Sequence, residues 1–236
     1  MLSAVFCWSG GKDSALCLYK VLQQKEFEVK YLLTTVNEQH KRISMHGVRE
    51  ELLNAQAKSL GISLVKIYVS EGTNAEYEKK MEETLLKFKS EGIKHVIFGD
   101  IFLEDLRKYR EINLAKAGMK GIFPLWGQDT CKLLAEFLAL KFKTVICCTN
   151  DAYLGEEWAG RVIDEKFLSE LPANVDACGE NGEYHTFCFD GPIFRTSMNI
   201  TVGEKIYKPL EIKTKDDKHP PSQTNGFWFC ELLKNS

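Results

Sequence analysis

Apolar residues along the chain follow two alternating rhythms. Short continuous runs cover residues 4–8, 29–36 ("VKYLLTTV"), 64–69 and 95–98. Between them apolar positions recur every three or four residues. Leu18, Val21 and Leu22 do so within 14–24; Val48, Leu52, Leu53, Ala57 and Leu60 within 48–60; Tyr77, Met81, Leu85 and Phe88 after Thr73. The first rhythm predicts strands and the second the buried faces of helices. Gly61 and Gly92 are helix stops, Thr73 a helix cap, and residues 104–117 a further helix. This alternation predicts βαβ units and a mostly parallel sheet with helices on both faces. Ligands of such sheets bind beyond the carboxyl ends of the strands. Glycines and polar residues gather there, at 9–14, 34–37, 69–73 and 99–101.

After "GMKGIFPLWGQDT" the rhythm changes. Residues 128–140 read as a helix and 144–150 as a strand. From Leu171 onward come short β segments: "EYHTFCFDGPIF", "TSMNITVGEKIY" and "NGFWFCELLK". The expected organisation is therefore an α/β unit, residues 1–124, followed by a smaller β-rich α+β unit, residues 125–236. The boundary falls near residues 121–127. "KDDKHPPSQTNG" reads as an exposed loop.

Composition narrows the class. The chain has 236 residues, 44% apolar and 27% charged, with a net charge of −2. That is globular, and it lacks the bulk positive charge that holds nucleic acid. No apolar run has membrane-spanning length. The start, "MLSAVFCWSGG", reads as a strand and not a signal peptide, so a cytoplasmic protein is expected. The eight cysteines show no C-x-x-C spacing and read as small buried hydrophobes, not zinc or cluster ligands.

The densest chemistry sits at the first strand-to-helix turn, "FCWSGGKDSALC". Gly10 and Gly11 let a phosphate approach their backbone N–H groups. The free N–H groups and positive dipole end of the next helix, starting near residues 13–14, point to the same place. Ser9 and Ser14 add hydroxyls and Lys12 a positive charge. Asp13 is out of place in a plain anion site but fits a Mg²⁺ between carboxylate and phosphates. The loop is neither a Walker A motif nor a dinucleotide fingerprint. A plain turn capped by Ser9 or Asp13 is the alternative.

A second concentration is "CGENGEYHTFCFDGPIF", residues 178–194, with Glu180, Glu183, His185 and Asp190 around a glycine-bearing turn. As a strand it would put Glu183, His185 and Phe187 on one face. Glu183 and His185 could then share proton transfer or hold an amine; a solvated hairpin face is the alternative. Other residues read more blandly. His40, His95 and His219 are surface or cap residues, and Trp126 and Trp158 core or domain-contact aromatics. "LEDLRKYRE" is a solvated helix face, from which Arg107 and Arg110 could reach a phosphate or an acceptor acid.

The hexamer SGGKDS resembles the pyrophosphate loop of the N-type ATP pyrophosphatases, which adenylate a carboxylate or carbonyl oxygen and release pyrophosphate. Five stretches in order, SGGKDS, "GD" at Gly99 and Asp100, "PLW" at 124–126, "LGEEWAGRVID" at 154–164 and GENGEYHTF, resemble one family over nearly the whole chain: the diphthine–ammonia ligases and their bacterial relatives. The second-unit motif of that family reads E-G-G-E-[FY]-E-[TS]. Here Asn181 replaces a glycine and His185 the last glutamate, a version similar to the bacterial branch.

The resemblance implies a HUP/Rossmann-like domain, ATP and Mg²⁺ as cofactors, and an AMP-forming carboxylate–ammonia ligase. Ser9, Gly10, Gly11, Lys12, Asp13 and Ser14 would hold the phosphates, with Asp13 placing the metal. Thr34, Thr35 and Val36 would meet the adenine through backbone groups, Met45 or His46 would cover it, and Gly99 and Asp100 would approach the ribose or α-phosphate. Glu180, Asn181, Gly182, Glu183, Tyr184, His185 and Thr186 would bind the acceptor; Lys12, Asp13, Glu183 and His185 are the catalytic candidates. The expected partners are a small-molecule or protein-borne carboxylate, a corrinoid carboxylate of cobalamin salvage or diphthine itself, and ammonium. Membrane and nucleic acid are not expected; a homodimer is the self-assembly allowed for. The competing readings are a tRNA thiolase or lysidine synthetase type of enzyme and a non-catalytic ATP sensor.

Overall fold

The structure, a computed structural model, describes residues 1–43, 46–70, 74–210 and 224–235. Strand β1 (Leu2–Cys7) leads into helix α1 (Lys12–Gln24), then β2 (Phe27–Asn37), the two-residue β3 (Arg42–Ile43), α2 (Glu50–Leu60) and β4 (Ser63–Val69). Next come α3 (Asn74–Ser90), β5 (His95–Ile97), α4 (Glu104–Lys116) and β6 (Lys120–Ile122). Strands β4, β2, β1, β5 and β6 lie side by side and parallel. β3 pairs antiparallel with the end of β2, at Val36 and Asn37, where β1 has already stopped.

This order means the chain winds outward from β1 through β2 to β4, then returns to the other side of β1 for β5 and β6. Chain direction therefore splits at the carboxyl ends of β1 and β5, which opens a crevice there. Period-two alternation shows in β1: Ala4 and Phe6 enter the core on the α1 and α2 side, while Val5 joins Leu85, Phe88 and Leu114 beneath α3 and α4.

The remainder is α5 (Thr130–Ala139), β7 (Lys143–Asn150), α6 (Glu165–Glu170), β8 (Tyr184–Asp190), β9 (Ile200–Pro209) and β10 (Gly226–Lys234). Its four strands form an antiparallel sheet in the order β8-β7-β10-β9. One apolar cluster runs from Phe6 and Leu18 through Leu133 and Phe137 to Val145 and Phe187. The second sheet is thus packed onto the first through α1, α2 and α5 and shares a core with it. The pair Arg42 and Arg49 adds a polar clamp, both guanidinium groups binding Glu231 of β10 (2.6 and 2.5 Å).

The mixed α/β architecture expected from the pattern is present, with shifted boundaries. β3, β6 and α6 are additions: two or three residues of strand carry no readable period, and six residues of helix barely one. Asp164 caps α6 by accepting from the Phe167 N–H (2.7 Å), and Trp158 packs edge-on against Phe167. Six of the cysteines are buried, but Cys131 is exposed and Cys7 half-buried, and all are free thiols. No helix among the described residues is long and apolar enough to cross a membrane. Thr73, His219 and most of "KDDKHPPSQTNG" lie outside the described residues.

Candidate functional site

A cleft of about 1020 Å³ opens at the strand ends and takes one wall from each sheet. Its floor is the turn after β1. Gly10 has φ +81°, a backbone state that side chains rarely adopt, and a Cβ there would lie 2.7 Å from Gln56 Oε1. Gly11 is the N-cap of α1 in extended conformation, and a Cβ there would meet His46 and Thr186 at 3.1 Å. The two glycines are therefore set by the space as well as by the turn. The Ser9 and Ser14 hydroxyls bond each other (2.8 Å), and the Ser9 hydroxyl accepts from the Gly11 N–H. Gly99, after β5, lies beside the Asp13–Ser14 peptide, where a Cβ would sit at ordinary contact distance, 3.4 Å.

The opposite wall is the turn before β8. Glu183, only 1% exposed, does not face the cleft. Its carboxylate accepts from the Asp176 N–H (3.0 Å), the Asn181 N–H (2.9 Å) and the Asn181 side-chain amide (3.1 Å). It braces the turn, and Asn181 closes that brace. Gly182 turns the chain at φ +84°. Asp176 adds a second brace by accepting from the Cys178 and Glu180 N–H groups. Glu180, Tyr184, His185 and Thr186 then line the cleft. Tyr184, Thr186, Phe187 and Cys188 of β8 are buried and His185 is half-buried at the cleft, which is not the pattern of a solvated hairpin face.

Two hydrogen bonds fasten the walls together. The Lys12 N–H donates to Thr186 Oγ1 (3.0 Å), and the Cys188 N–H donates to the Gly10 carbonyl (2.8 Å). Glu180 makes a third tie by accepting from the Ile101 N–H (2.9 Å). Burial pushes the Glu180 carboxyl up to about 7; the Ile101 N–H opposes this and the Asp13 charge adds to it.

The charges are arranged asymmetrically. Lys12 is 3% exposed and does not line the cleft. Its ammonium donates to Asp13 (2.8 and 3.0 Å) and to the Cys178 carbonyl, and lies over the Tyr184 ring. Burial disfavours that charge, but Asp13, Tyr184 and Cys178 outweigh it and hold Lys12 above the usual lysine value. Asp13 itself faces the cleft. Asp100 also lines the cleft, paired with Arg110 at 2.6 Å. Arg110 stacks on Phe98, while Arg107 stacks on Phe123 and Trp126.

His46 and His185 lie ring against ring, centroids 4.7 Å apart. His46 Nδ1 is 3.1 Å from the Thr186 carbonyl. Burial lowers both histidines; for His185, burial, His46 and Lys12 together bring it down to about 3. His185 Nε2 is buried with no hydrogen-bond partner among the described residues.

Thr34 and Thr35 line the cleft, Thr34 donating to the Trp8 carbonyl. Val36 does not line it; it is paired with β3 on one edge and β4 on the other. Met45 lies outside the described residues. No group of three or more His, Cys, Asp or Glu among the described residues is placed to hold a metal. Asp13 is the loop's own carboxylate, which suits a Mg²⁺ that keeps most of its shell for phosphate and water.

One residue of the site went unread in the sequence. Gln56 is fully buried in α2, accepts from Trp8 Nε1 (2.9 Å) and donates to the carbonyls of Gly10 (2.9 Å) and Cys188 (2.7 Å). It holds the loop and β8 at once. The available signal was a polar residue among Leu52, Leu53, Ala57 and Leu60 on an otherwise apolar face.

Known proteins resemble this chain in sequence. The chain matches the family model of the diphthamide synthase N-terminal domain over residues 1–121 and that of the diphthamide synthase C-terminal domain over residues 129–215. It is 30% identical to the diphthine–ammonia ligase of Rattus norvegicus over 139 residues and 31% to that of Mus musculus over 140, each 56% of this chain and 51% of the relative. The diphthine–ammonia ligase of Saccharomyces cerevisiae is 24% identical over 224 residues, 79% of this chain and 33% of the relative. The chain spans about half the length of the two rodent relatives and less of the yeast one. With the two family models matched in order over most of its length, the chain belongs to the diphthamide synthase family.

Proposed function

We propose that this protein is an ATP-dependent, AMP-forming ligase that converts a carboxylate to its amide with ammonia. The observation that carries the reading is the shared cleft: the SGGKDS loop and the GENGEYHT segment, far apart in sequence, are bonded to each other through Lys12 N–H and Thr186. A nucleotide gripped by the loop would therefore present its α-phosphate to whatever the second segment binds. Residues 1–124 supply the nucleotide side and residues 125–236 the acceptor wall.

In this reading Ser9, Ser14 and the N–H groups of Gly10 and Gly11 bind the phosphates at the start of α1. Lys12, moved off Asp13, adds its charge to them. Asp13, together with the phosphates, would hold Mg²⁺, which supplies charge neutralisation. Thr34 and Thr35 border the adenine. The acceptor carboxylate attacks the α-phosphorus and pyrophosphate leaves; ammonia then forms the C–N bond and AMP departs. Glu180 positions the acceptor, with His185 beside it, and Glu183 keeps the turn that carries them. A neutral imidazole at 185 replaces the carboxylate of the family motif, which favours an acceptor other than diphthine, such as a corrinoid carboxylate. The reading places the protein in the cytoplasm with ATP and ammonium.

The test is the nucleotide product. Incubation with ATP, Mg²⁺, ammonium and either a corrinoid acid or diphthine-bearing elongation factor 2 should release AMP and pyrophosphate. ADP, or tight ATP binding without turnover, would refute the reading. A requirement for tRNA and a sulfur donor would indicate a thiolase. His185→Glu is expected to change the acceptor preference.

A further inference from the structure

The His46–His185 pair is not accounted for by nucleotide binding or by the bracing of the turn. Nδ1 of His46 faces a carbonyl oxygen, that of Thr186, at 3.1 Å. A carbonyl only accepts, so Nδ1 carries the hydrogen and Nε2 keeps the lone pair. His185 has its Nε2 buried without a partner. The rings are 4.7 Å apart, and both residues line the cleft beside Asp13 and Thr186. The site of a Cβ on Gly11 lies only 3.1 Å from His46 Cε1, so the pair abuts the loop itself. The charged groups felt at His46 are Asp13 and Lys12, and these already neutralise each other. A buried nitrogen without a partner costs stability unless a ligand satisfies it.

We infer that His46 and His185 form the ammonium-binding site of the proposed ligase, with His46 Nε2 as the proton acceptor. The inference rests on the ligase reading given above. Ammonium donates one N–H bond to His46 Nε2 and, with the His185 hydrogen on Nδ1, another to His185 Nε2. One proton passes to His46 Nε2, leaving an imidazolium and ammonia. The ammonia lone pair forms the C–N bond as the acyl C–O bond to AMP breaks, and the second proton leaves to water. His46 then returns its proton to water, so atoms and charge balance. Burial keeps both rings neutral in the resting state, so neither repels the cation; it also makes His46 a weaker base, which the Thr186 carbonyl and the Asp13 charge partly offset.

His46→Asn separates this role from a structural one. Its side-chain amide can still donate to the Thr186 carbonyl, as Nδ1 does, but it offers no ring lone pair. Amide formation from ammonium should fall by about 100-fold. Hydroxamate formation from hydroxylamine, which is uncharged at neutral pH and needs no deprotonation, should fall at least tenfold less by the same estimate. Added imidazole should restore part of the ammonium reaction. A second measurement needs no turnover: in the full-length wild-type protein, the ¹⁵N signals of the His46 and His185 rings should move with ammonium chloride and stay still with potassium chloride. Equal losses with both nucleophiles, or rings indifferent to ammonium, would overturn the inference. Failure of every acceptor to yield AMP would instead overturn the ligase reading, while the ring signals would still decide on the ammonium site.

Discussion

Replacing Gln56 with leucine isolates what holds the loop in place. The two side chains are similar in size and the site is fully buried, so the substitution leaves little cavity. What it removes is three hydrogen bonds, to Trp8 Nε1 and to the carbonyls of Gly10 and Cys188. The Gly10 carbonyl keeps the Cys188 N–H, but the indole N–H of Trp8, itself 2% exposed, loses its acceptor. One orphaned buried donor and two ordinary bonds come to roughly 3–5 kcal/mol, and leucine's greater apolarity returns part of that, leaving about 3 kcal/mol. In a chain of this length each kcal/mol shifts Tm by about 2–4 °C, so a fall of about 6–12 °C is expected. Thermal melts measure it, and urea unfolding with unchanged slope would assign it to the folded state. AMP formation should fall as well, because Gly10 would lose one of its two anchors. A Tm within about 2 °C of wild type, a change under 1 kcal/mol by that scaling, would show that Gln56 does not pin the loop.

Gly10→Ala should destabilise by about 1–3 kcal/mol, since φ is +81° and Gln56 occupies the space of the new methyl; chemical unfolding measures it. Asp13→Ala should lower AMP formation by about 100-fold in the product assay, and unchanged turnover would remove Asp13 from the metal role. Glu180 has a folded pKa of about 7, above its unfolded value of 4.5. Its stabilising contribution is therefore complete below pH 4.5 and is lost as pH rises to about 7. Urea midpoints at pH 5 and pH 8 should show wild type losing up to about 3 kcal/mol that Glu180→Gln keeps. His185 has the opposite sign: its pKa of about 3 lies below the unfolded 6.5. Its contribution is present above pH 6.5 and lost as pH falls toward 3, and His185→Asn should flatten that acid limb.

Much of the frame was legible because it is local. Apolar runs and 3.6-residue periods reflect how a strand or helix presents side chains to a core, and a run of four residues or a few helical turns suffices to show them. The short β3 and β6 lie below that limit and are made by sheet neighbours. The SGGKDS loop was legible for a similar reason: a positive φ, an N-terminal helix dipole and two hydroxyls are all contained within six residues. The second segment was legible as a concentration of polar groups but not as a set of directions. Glu183 and His185 are two residues apart, yet one carboxylate folds back onto its own turn while the imidazole faces the cleft. That choice depends on the free N–H groups of Asp176 and Asn181, which only the turn's three-dimensional path brings within reach.

What the sequence determined by itself was therefore the parallel α/β frame, the anion-binding turn at its first strand end and the family motifs. The tertiary structure decided that residues 9–14 and 178–186 face one another, because β8 is docked on α1 by bonds between residues more than 170 positions apart, such as Lys12 to Thr186. It also decided that Lys12 rests on Asp13, that Gln56 is the pin of the loop, and that His46 meets His185. The contacts of Gln56 and of the two histidines join distant segments, fixed by how two sheets share one core, and no local pattern of residues encodes that approach.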